Sequence, residues 1–190
     1  DELWATLILA YYLVQNLLYS FWMKHFAIVD VSVIAIGFVL RIFIGGVVTG
    51  IELSQWIISL TLLLAIFLAF AKRRDDVIVY EKTEMKLRKS LDGYNRQFLD
   101  TAMAISATLV IMAYFMFAIS PETTARLGKY FYLTTFFVFV GILQYLKLTQ
   151  VHTNSANPVD MLISNLFLQL IILGWVASFV VLLYFKELTV

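Results

Sequence analysis

Six long apolar runs constrain the fold of this sequence more than any other feature. They cover residues 3–23, 28–48, 56–71, 98–120, 130–146 and 161–185. A helix needs about 20 apolar residues to cross the hydrocarbon core of a bilayer, and continuous rather than alternating runs argue against barrel strands. Because 62% of the residues are hydrophobic and only 14% are charged, one small globule cannot bury them. The sequence predicts an all-α, polytopic membrane helical bundle, with residues 1–190 in a single membrane domain.

Composition excludes several classes of site. The sequence contains no Cys, so disulfides and thiolate metal sites are excluded. The two histidines, His25 and His152, make a poor metal site by themselves. No P-loop, nucleophile elbow or Ser-His-Asp set is present, and nothing predicts nucleic-acid binding.

The basic residues indicate which side of the membrane each connector occupies. The connectors after the first, third and fifth runs are basic, whereas those after the second and fourth are poorer in Lys and Arg. The basic residues of the three rich connectors are Lys24, His25, Lys72, Arg73, Arg74, Lys82, Lys86, Arg88, Lys89, Arg96, Lys147 and His152. Because basic loops stay in the cytoplasm, we predict a plasma (inner) membrane protein whose site faces the cytoplasm.

The beginning of the sequence predicts that it is part of a longer protein. It starts at Asp1 without Met, and the orientation above places this end outside the cell. A native N-terminus in the cytoplasm would then require an odd number of further spans upstream.

The connector AKRRDDVIVYEKTEMKLRKSLDGYN, residues 71–95, is densely charged: it holds 7 of the 14 Lys and Arg residues and 5 of the 13 Asp and Glu residues. One interpretation is a topology signal that also anchors anionic membrane lipids. The alternative is a site for a diphosphate and Mg²⁺, because carboxylates hold the metal while Lys and Arg bind phosphate oxygens. The second interpretation predicts phosphate contacts from Lys72, Arg73 and Arg74, and metal ligands in Asp75 and Asp76.

Polar residues inside the second run form another candidate site. Asp30 and Arg41 are separated by eleven residues, about three turns, so they share one face of a helix and differ in depth by about 16 Å. A buried Arg in a membrane indicates function unless it reaches the surface or pairs structurally. A stripe of Tyr12, Asn16 and Tyr19 on the first run either faces the same cavity or forms hydrogen bonds between helices.

Four segments, in this order, resemble the UbiA prenyltransferase superfamily, and most closely its decaprenyl-phosphate phosphoribosyltransferase branch. They are YSFWMKHFAIVDVSVIAIGFVLRIFIGG, FLAFAKRRDD, RKSLDGYNRQFLD and NPVDMLI. The resemblance implies nine transmembrane helices, of which this sequence holds the last six, about the C-terminal two thirds. The first acidic motif of the family would lie upstream. Gln144 departs from the Arg expected in close relatives.

The resemblance also implies roles for individual residues. Lys72 and Arg73 would bind phosphate and Asp76 would be their acidic partner, which together form the predicted catalytic set. Aromatic prenyltransferases have a DxxxD motif at this loop, whereas KRRDD favours the phosphoribosyl branch. The predicted substrate-binding residues are Tyr19, Lys24, Asp30, Arg41, Arg74, Arg88, Lys89 and Tyr94, and the predicted metal ligands are Asp75 and Asp76.

The implied reaction transfers 5-phosphoribose from phosphoribosyl pyrophosphate to a polyprenyl (decaprenyl) phosphate, with Mg²⁺ as cofactor and pyrophosphate as product. Apolar grooves between helices would hold the isoprenoid tail. Two alternatives remain open: a UbiA-type transfer of an isoprenyl group to an aromatic acceptor, and a non-catalytic membrane transporter or partner. Because the first acidic motif is absent, residues 1–190 alone are expected to be inactive. The sequence makes no prediction of oligomeric state.

Overall fold

The structure, a computed structural model, describes residues 2–83, 89–151 and 158–188. Within these ranges it contains helices, 3₁₀ turns and connectors but no strand. The helices are α1 (Glu2–Phe21), α2 (Val29–Thr49), α3 (Gln55–Thr83), α4 (Arg96–Ile119), α5 (Pro121–Leu127), α6 (Thr135–Val151), α7 (Pro158–Ser164) and α8 (Leu166–Leu188). Three 3₁₀ turns, Met23–His25, Lys89–Gly93 and Phe131–Thr134, lie between them.

Six of the described helices are long and apolar enough to cross a membrane. Each overlaps one of the six apolar runs, which confirms the predicted all-α, polytopic membrane bundle. Many large apolar side chains on these helices are exposed, among them Trp4, Leu17 and Leu173. Such a surface suits lipid rather than water as its solvent.

The third span ends later than its sequence predicts. The apolar run stops at Ala71, but α3 continues to Thr83 and carries the charged residues 72–76 on helical backbone. The reason is local, because residues 72–83 contain neither Gly nor Pro and several are good helix formers. Charged side chains end an apolar run without ending a helix.

The last span begins later than its sequence predicts. The apolar run starts at Met161, but the chain forms the short helix α7 and then starts α8 at Leu166. Asn165 separates them, and its side-chain oxygen accepts a hydrogen bond from the backbone N–H of Leu168 at 3.0 Å. This is an N-cap, which begins a new helix at a position that hydrophobicity alone does not mark.

The chain divides into two compact units, Asp1–Ser106 and Ala107–Val190. In the first unit, α2 packs against both α1 and α3. A buried apolar cluster of Val31, Ala69, Val77, Leu91, Tyr94 and Leu99 joins α2 and α3 to the start of α4 and the turn before it. That cluster lies directly beside the charged end of α3. The prediction of a single membrane domain stays a prediction.

In the second unit, α6 packs against α8. A hydrogen-bonded chain holds this unit together: Trp175 Nε1 donates to the Tyr114 hydroxyl at 2.8 Å, and Tyr114 meets the Thr134 hydroxyl at 2.9 Å. Thr134 in turn donates to the carbonyl of Phe131 at 2.7 Å. Tyr114 is therefore a buried tyrosine with a purely structural set of partners.

Candidate active site

Asp30, at the start of α2, is the centre of the candidate site. Its side chain is fully buried, and both carboxylate oxygens accept hydrogen bonds. Oδ1 accepts from the backbone N–H of Val31 at 2.8 Å and from the Tyr94 hydroxyl at 2.7 Å. Oδ2 accepts from Arg73 Nε at 2.7 Å and from the Ser90 hydroxyl at 3.3 Å. A buried carboxylate with this many donors is held in one orientation.

A strained turn places Asp30 in this position. Ile28 immediately before α2 has φ 68° and ψ −45°, and the N–H of Val29 bonds to the carbonyl of Ala27 at 2.8 Å. These are the features of a γ-turn of the rare, positive-φ type. For a β-branched residue such a conformation is an outlier that the surrounding structure must impose.

Arg73 on α3 lies between two carboxylates. Its Nε donates to Asp30 Oδ2 at 2.7 Å, and its Nη1 donates to Asp76 Oδ2 at 2.6 Å. The Arg73 side chain is only 2% exposed, so this ion-pair triad is dry. Asp76 follows Arg73 by three residues on the same helix, which is the spacing that brings two side chains to one helix face.

Tyr94 ties the turn before α4 to this triad. Its hydroxyl donates to Asp30 Oδ1 and accepts from the backbone N–H of Ile28 at 2.6 Å. Burial, together with the bond to Asp30, raises the pKa of Tyr94 above its ordinary value. The hydroxyl therefore stays protonated and remains a donor at every physiological pH.

Arg74 points to a different partner from that of its neighbour. Its Nε donates to Asp100 Oδ1 on α4 at 2.5 Å. Arg74 is buried, whereas the Asp100 side chain is 34% exposed. Successive residues on a helix point about 100° apart, so Arg73 and Arg74 anchor the end of α3 to α2 and to α4 respectively.

Lys72 and Asp75 complete the charged end of α3. Asp75 is buried, and the charged groups that act on it are Lys72, Arg74 and Asp76. We call Lys72, Arg73, Arg74, Asp30, Asp75, Asp76 and Asp100 the ionic cluster. It contains three cations and four carboxylates, so it has no surplus of positive charge for an anionic ligand.

Asp75 and Asp76, the predicted metal ligands, fit a magnesium ion only if a bound substrate supplies most of the metal's coordination. Among residues 2–83, 89–151 and 158–188, no group of three or more His, Cys, Asp or Glu could hold a metal ion. Asp76 already accepts from Arg73. However, Mg²⁺ bound to substrate phosphates usually takes one or two protein carboxylates and fills its other positions with water and phosphate oxygens. Since Asp76 is bonded to Arg73, Asp75 is the member of the predicted pair left as a candidate ligand.

Arg41 lies apart from the ionic cluster, about 16 Å further along α2 from Asp30. Its Nε and Nη2 donate to the Tyr12 hydroxyl at 3.1 and 2.6 Å. The guanidinium also lies over the rings of Tyr12 and Phe38, with its carbon 5.3 and 5.1 Å from their centroids. Tyr12 of the predicted polar stripe thus solvates a cation within the span.

The remaining predicted residues fall in three places. Tyr19 is near enough to Arg73 to act on it electrostatically. Lys24 is half-buried in the turn Met23–His25, which packs against the turn Lys89–Gly93. Arg88 lies outside the described residues, and Lys89 begins the second turn with its side chain outside the described part.

Two residues of the site were not predicted from the sequence. Ser90 donates to Asp30, and Asp100 accepts from Arg74. Both lie within the segment RKSLDGYNRQFLD that carries the family resemblance. The repeated appearance of small polar and acidic residues in that segment was the available signal, but the sequence could not show which of them faces α2 or α3.

No protein-family model matches the chain. Among curated proteins, the chain is 31% identical over 179 residues to the decaprenyl-phosphate phosphoribosyltransferase of Corynebacterium glutamicum, covering 93% of this chain and 53% of that protein. Proteins of the same name match from Mycolicibacterium smegmatis, at 28% identity with 95% and 58% covered, and from Mycobacterium tuberculosis, at 31% identity with 90% and 56% covered.

The chain therefore spans somewhat more than half the length of the curated relatives it matches. The matches extend over nearly all of this chain, so they include the ionic cluster as well as the apolar helices. The resemblance that its motifs predicted is confirmed, since nearly the whole chain is similar to proteins named decaprenyl-phosphate phosphoribosyltransferase, which supports the UbiA-like family.

Proposed function

We propose that this chain is part of a membrane transferase that moves 5-phosphoribose from phosphoribosyl pyrophosphate to a polyprenyl phosphate. The name of the relatives specifies phosphoribosyl transfer and decaprenyl phosphate. The observation that supports it most directly is the buried Arg73 held between Asp30 and Asp76 at the polar end of α3. A guanidinium fixed on two sides is a preorganised partner for a phosphate group, because little entropy is lost when the ligand binds.

The proposed reaction asks for charge stabilisation rather than proton transfer. The bond between ribose C1 and the pyrophosphate oxygen breaks, and the electron pair leaves with pyrophosphate. An oxygen of the lipid phosphate then bonds to C1. Because that oxygen is already anionic, no general base is needed, and the task of Lys72, Arg73 and Arg74 is to stabilise the departing charge.

Magnesium enters this proposal through the charge balance of the ionic cluster. Four carboxylates outnumber three cations there, so a bare diphosphate would meet no net positive charge. A diphosphate that arrives as its Mg²⁺ complex brings the missing charge, and the metal supplies electrostatic stabilisation of the leaving group. Asp75 is the residue we assign to hold it.

The ionic cluster would lie at the cytoplasmic surface of the plasma membrane. This follows from the basic connectors on that side, because Lys and Arg are retained in the cytoplasm. Phosphoribosyl pyrophosphate is water-soluble, so a site at the inner surface gives it access, while the isoprenoid tail of the acceptor stays in the hydrocarbon between helices.

The test is a transfer assay with two donors on full-length protein in lipid nanodiscs. Labelled phosphoribosyl pyrophosphate with decaprenyl phosphate is expected to give a lipid-linked phosphoribose, and an isoprenyl diphosphate with an aromatic acceptor is expected to give nothing. Prenyl transfer without phosphoribosyl transfer would reverse the assignment. Substrate flux across vesicles with no product would favour a transporter.

Two variants locate the reaction at the ionic cluster. Lys72→Ala or Asp76→Ala is expected to lower turnover by about a hundredfold or more, since Lys72 stabilises the departing charge and Asp76 holds Arg73 in place. Lys129→Ala is the matched control, because Lys129 lies over the ring of Tyr130 beyond α5. Near-normal rates in both cluster variants would reduce the charged segment to a topology anchor.

A further inference from the structure

Ser90 of the turn Lys89–Gly93 and Tyr94 after it are connected to Arg73 through the carboxylate of Asp30. Tyr94 and Ser90 both donate to Asp30, and Asp30 accepts from Arg73 Nε. Tyr94 also holds the N–H of Ile28, the central residue of the strained turn. The Tyr94 hydroxyl thus bonds both to the backbone turn that precedes Asp30 and to Oδ1 of the Asp30 carboxylate. Both bonds help to determine where that carboxylate lies.

We propose that Tyr94 is a positioning residue that sets the orientation of the Arg73 guanidinium through Asp30, and that the docking of Gly93 on Ala27 sets the position of Tyr94. This inference rests on the proposed function, since it assigns the reason for which Arg73 is held. It gives Tyr94 a role through Asp30 and Arg73 in place of a direct contact with phosphate.

The geometry of the tyrosine supports this assignment. Its hydroxyl accepts one hydrogen bond, from the backbone N–H of Ile28 at 2.6 Å, and donates one, to Asp30 Oδ1 at 2.7 Å. Its single proton is therefore committed to Asp30. The ring is buried in the apolar cluster and stacks on Phe98, with the ring centroids 5.9 Å apart. This packing restricts movements of the ring that would carry the hydroxyl to another partner.

Glycine at position 93 is required by contact rather than by backbone conformation. A Cβ at this position would lie 2.6 Å from the Cβ of Ala27, and its next neighbour would be the Cα of Ala27 at 3.9 Å. The turn therefore packs closely against Ala27 in the α1–α2 connector. Removing the Ala27 methyl group would make room for a methyl group at position 93.

The first experiment compares Tyr94→Phe with wild type in the phosphoribosyl transfer assay. The loss of one hydrogen bond to a charged group is expected to raise the KM for phosphoribosyl pyrophosphate about tenfold or more, while the KM for decaprenyl phosphate stays unchanged. A loss of folded protein would lower the rate without changing either KM. Tyr114→Phe is the control, since it removes an equally buried hydroxyl from the second unit.

The second experiment keeps every polar group and moves the turn. Gly93→Ala is expected to raise the same KM, because the new methyl group pushes the turn away from Ala27. The double variant Gly93→Ala, Ala27→Gly is expected to restore the wild-type KM, because the nearest remaining atom lies 3.9 Å away.

The outcomes separate the two proposals. No turnover of phosphoribosyl pyrophosphate by wild-type protein would overturn the proposed function. Normal turnover with the same donor KM in wild type, Tyr94→Phe and Gly93→Ala would overturn only the positioning role. If Tyr94→Phe fails to fold, the comparison of Gly93→Ala with its Ala27→Gly partner still decides the matter.

Discussion

The buried carboxylate of Asp30 is the residue on which most of the site depends. Both of its oxygens accept hydrogen bonds from Arg73, Tyr94, Ser90 and the backbone. In Asp30→Asn, the new amide NH₂ would face a donor whichever way it turned. One of these donors would then be left unsatisfied, and Arg73 would lose one of its two negative partners.

We therefore expect Asp30→Asn to destabilise the protein by about 3–5 kcal/mol, the usual cost of breaking a buried ion pair. Asp100→Asn is the comparison, because that carboxylate is 34% exposed and pairs with Arg74 from one oxygen. Its cost should be lower, about 1–3 kcal/mol, because water reaches Asp100 and the Asp75 carboxylate still acts on the buried Arg74. Thermal unfolding in the same detergent measures both, and equal losses would contradict the central position of Asp30.

The raised pKa of Tyr94 makes a prediction at alkaline pH. Because the folded pKa lies above the unfolded value of about 10, the contribution of the tyrosine to stability is fully present below pH 10. It is lost as the pH rises above that value toward the folded pKa, since the unfolded chain then releases its proton first. Melting temperatures measured from pH 7 to 11 should fall more steeply in wild type than in Tyr94→Phe above pH 10. Parallel curves would show that folding does not raise the pKa of Tyr94.

At the scale of single helices, α3 decides where the site lies. Its 29 residues are about 43 Å long, whereas the hydrocarbon core is about 30 Å thick. A span that starts at Gln55 therefore reaches the far boundary close to Arg74. The charged residues lie where the helix leaves the hydrocarbon, so their polar partners on α2 and α4 replace part of the water they lose.

Adjacent glycines in α2 allow a matched test of helix packing. A Cβ at Gly46 would lie 2.7 Å from Cγ of Leu53, whereas one at Gly45 would meet no atom within 4 Å. Gly46→Ala should destabilise the protein by about 1–3 kcal/mol through this overpacking, while Gly45→Ala should be neutral or stabilising by up to about 1 kcal/mol from helix propensity. Thermal unfolding of the two variants provides the measurement. A loss in Gly45→Ala as large as in Gly46→Ala would contradict this contact.

The helices also show what hydrophobicity predicts and what it misses. The six spans can be predicted from the lengths of the apolar runs, because any helix that crosses a bilayer needs about 20 apolar residues. The continuation of α3 through residues 72–83 does not follow, since it depends on local helix propensity. The start of α8 at Leu166 depends on one cap at Asn165, which an apolar run conceals.

The site was predicted to a different extent from the fold. The charged residues 72–76 and Asp30 were identified because charge is rare and costly in an apolar sequence. Their pairing was not, because Asp30 and Arg73 are 43 residues apart and no local pattern links them. Ser90 and Asp100 were missed for the same reason, since an exposed serine and a buried one look alike in a sequence.

For the whole molecule, the orientation in the membrane is the prediction with the widest consequences. The chain contains no Cys, so a single introduced Cys reports on one position without a background. Glu52, between α2 and α3, and Glu81, near the end of α3, are both exposed and lie at opposite ends of one span. A cytoplasmic site requires that Glu81 lie inside and Glu52 outside.

In intact cells, a membrane-impermeant maleimide should label Glu52→Cys, whereas Glu81→Cys should react only after the membrane is made permeable. The reason is the positive-inside rule, which predicts that the basic end of α3 lies in the cytoplasm. Both variants should keep transfer activity, because neither side chain belongs to the ionic cluster. The reverse labelling pattern would place the ionic cluster on the outer surface, where phosphoribosyl pyrophosphate made in the cytoplasm could not reach it. The proposed donor therefore requires the proposed orientation, and the reverse orientation would contradict both.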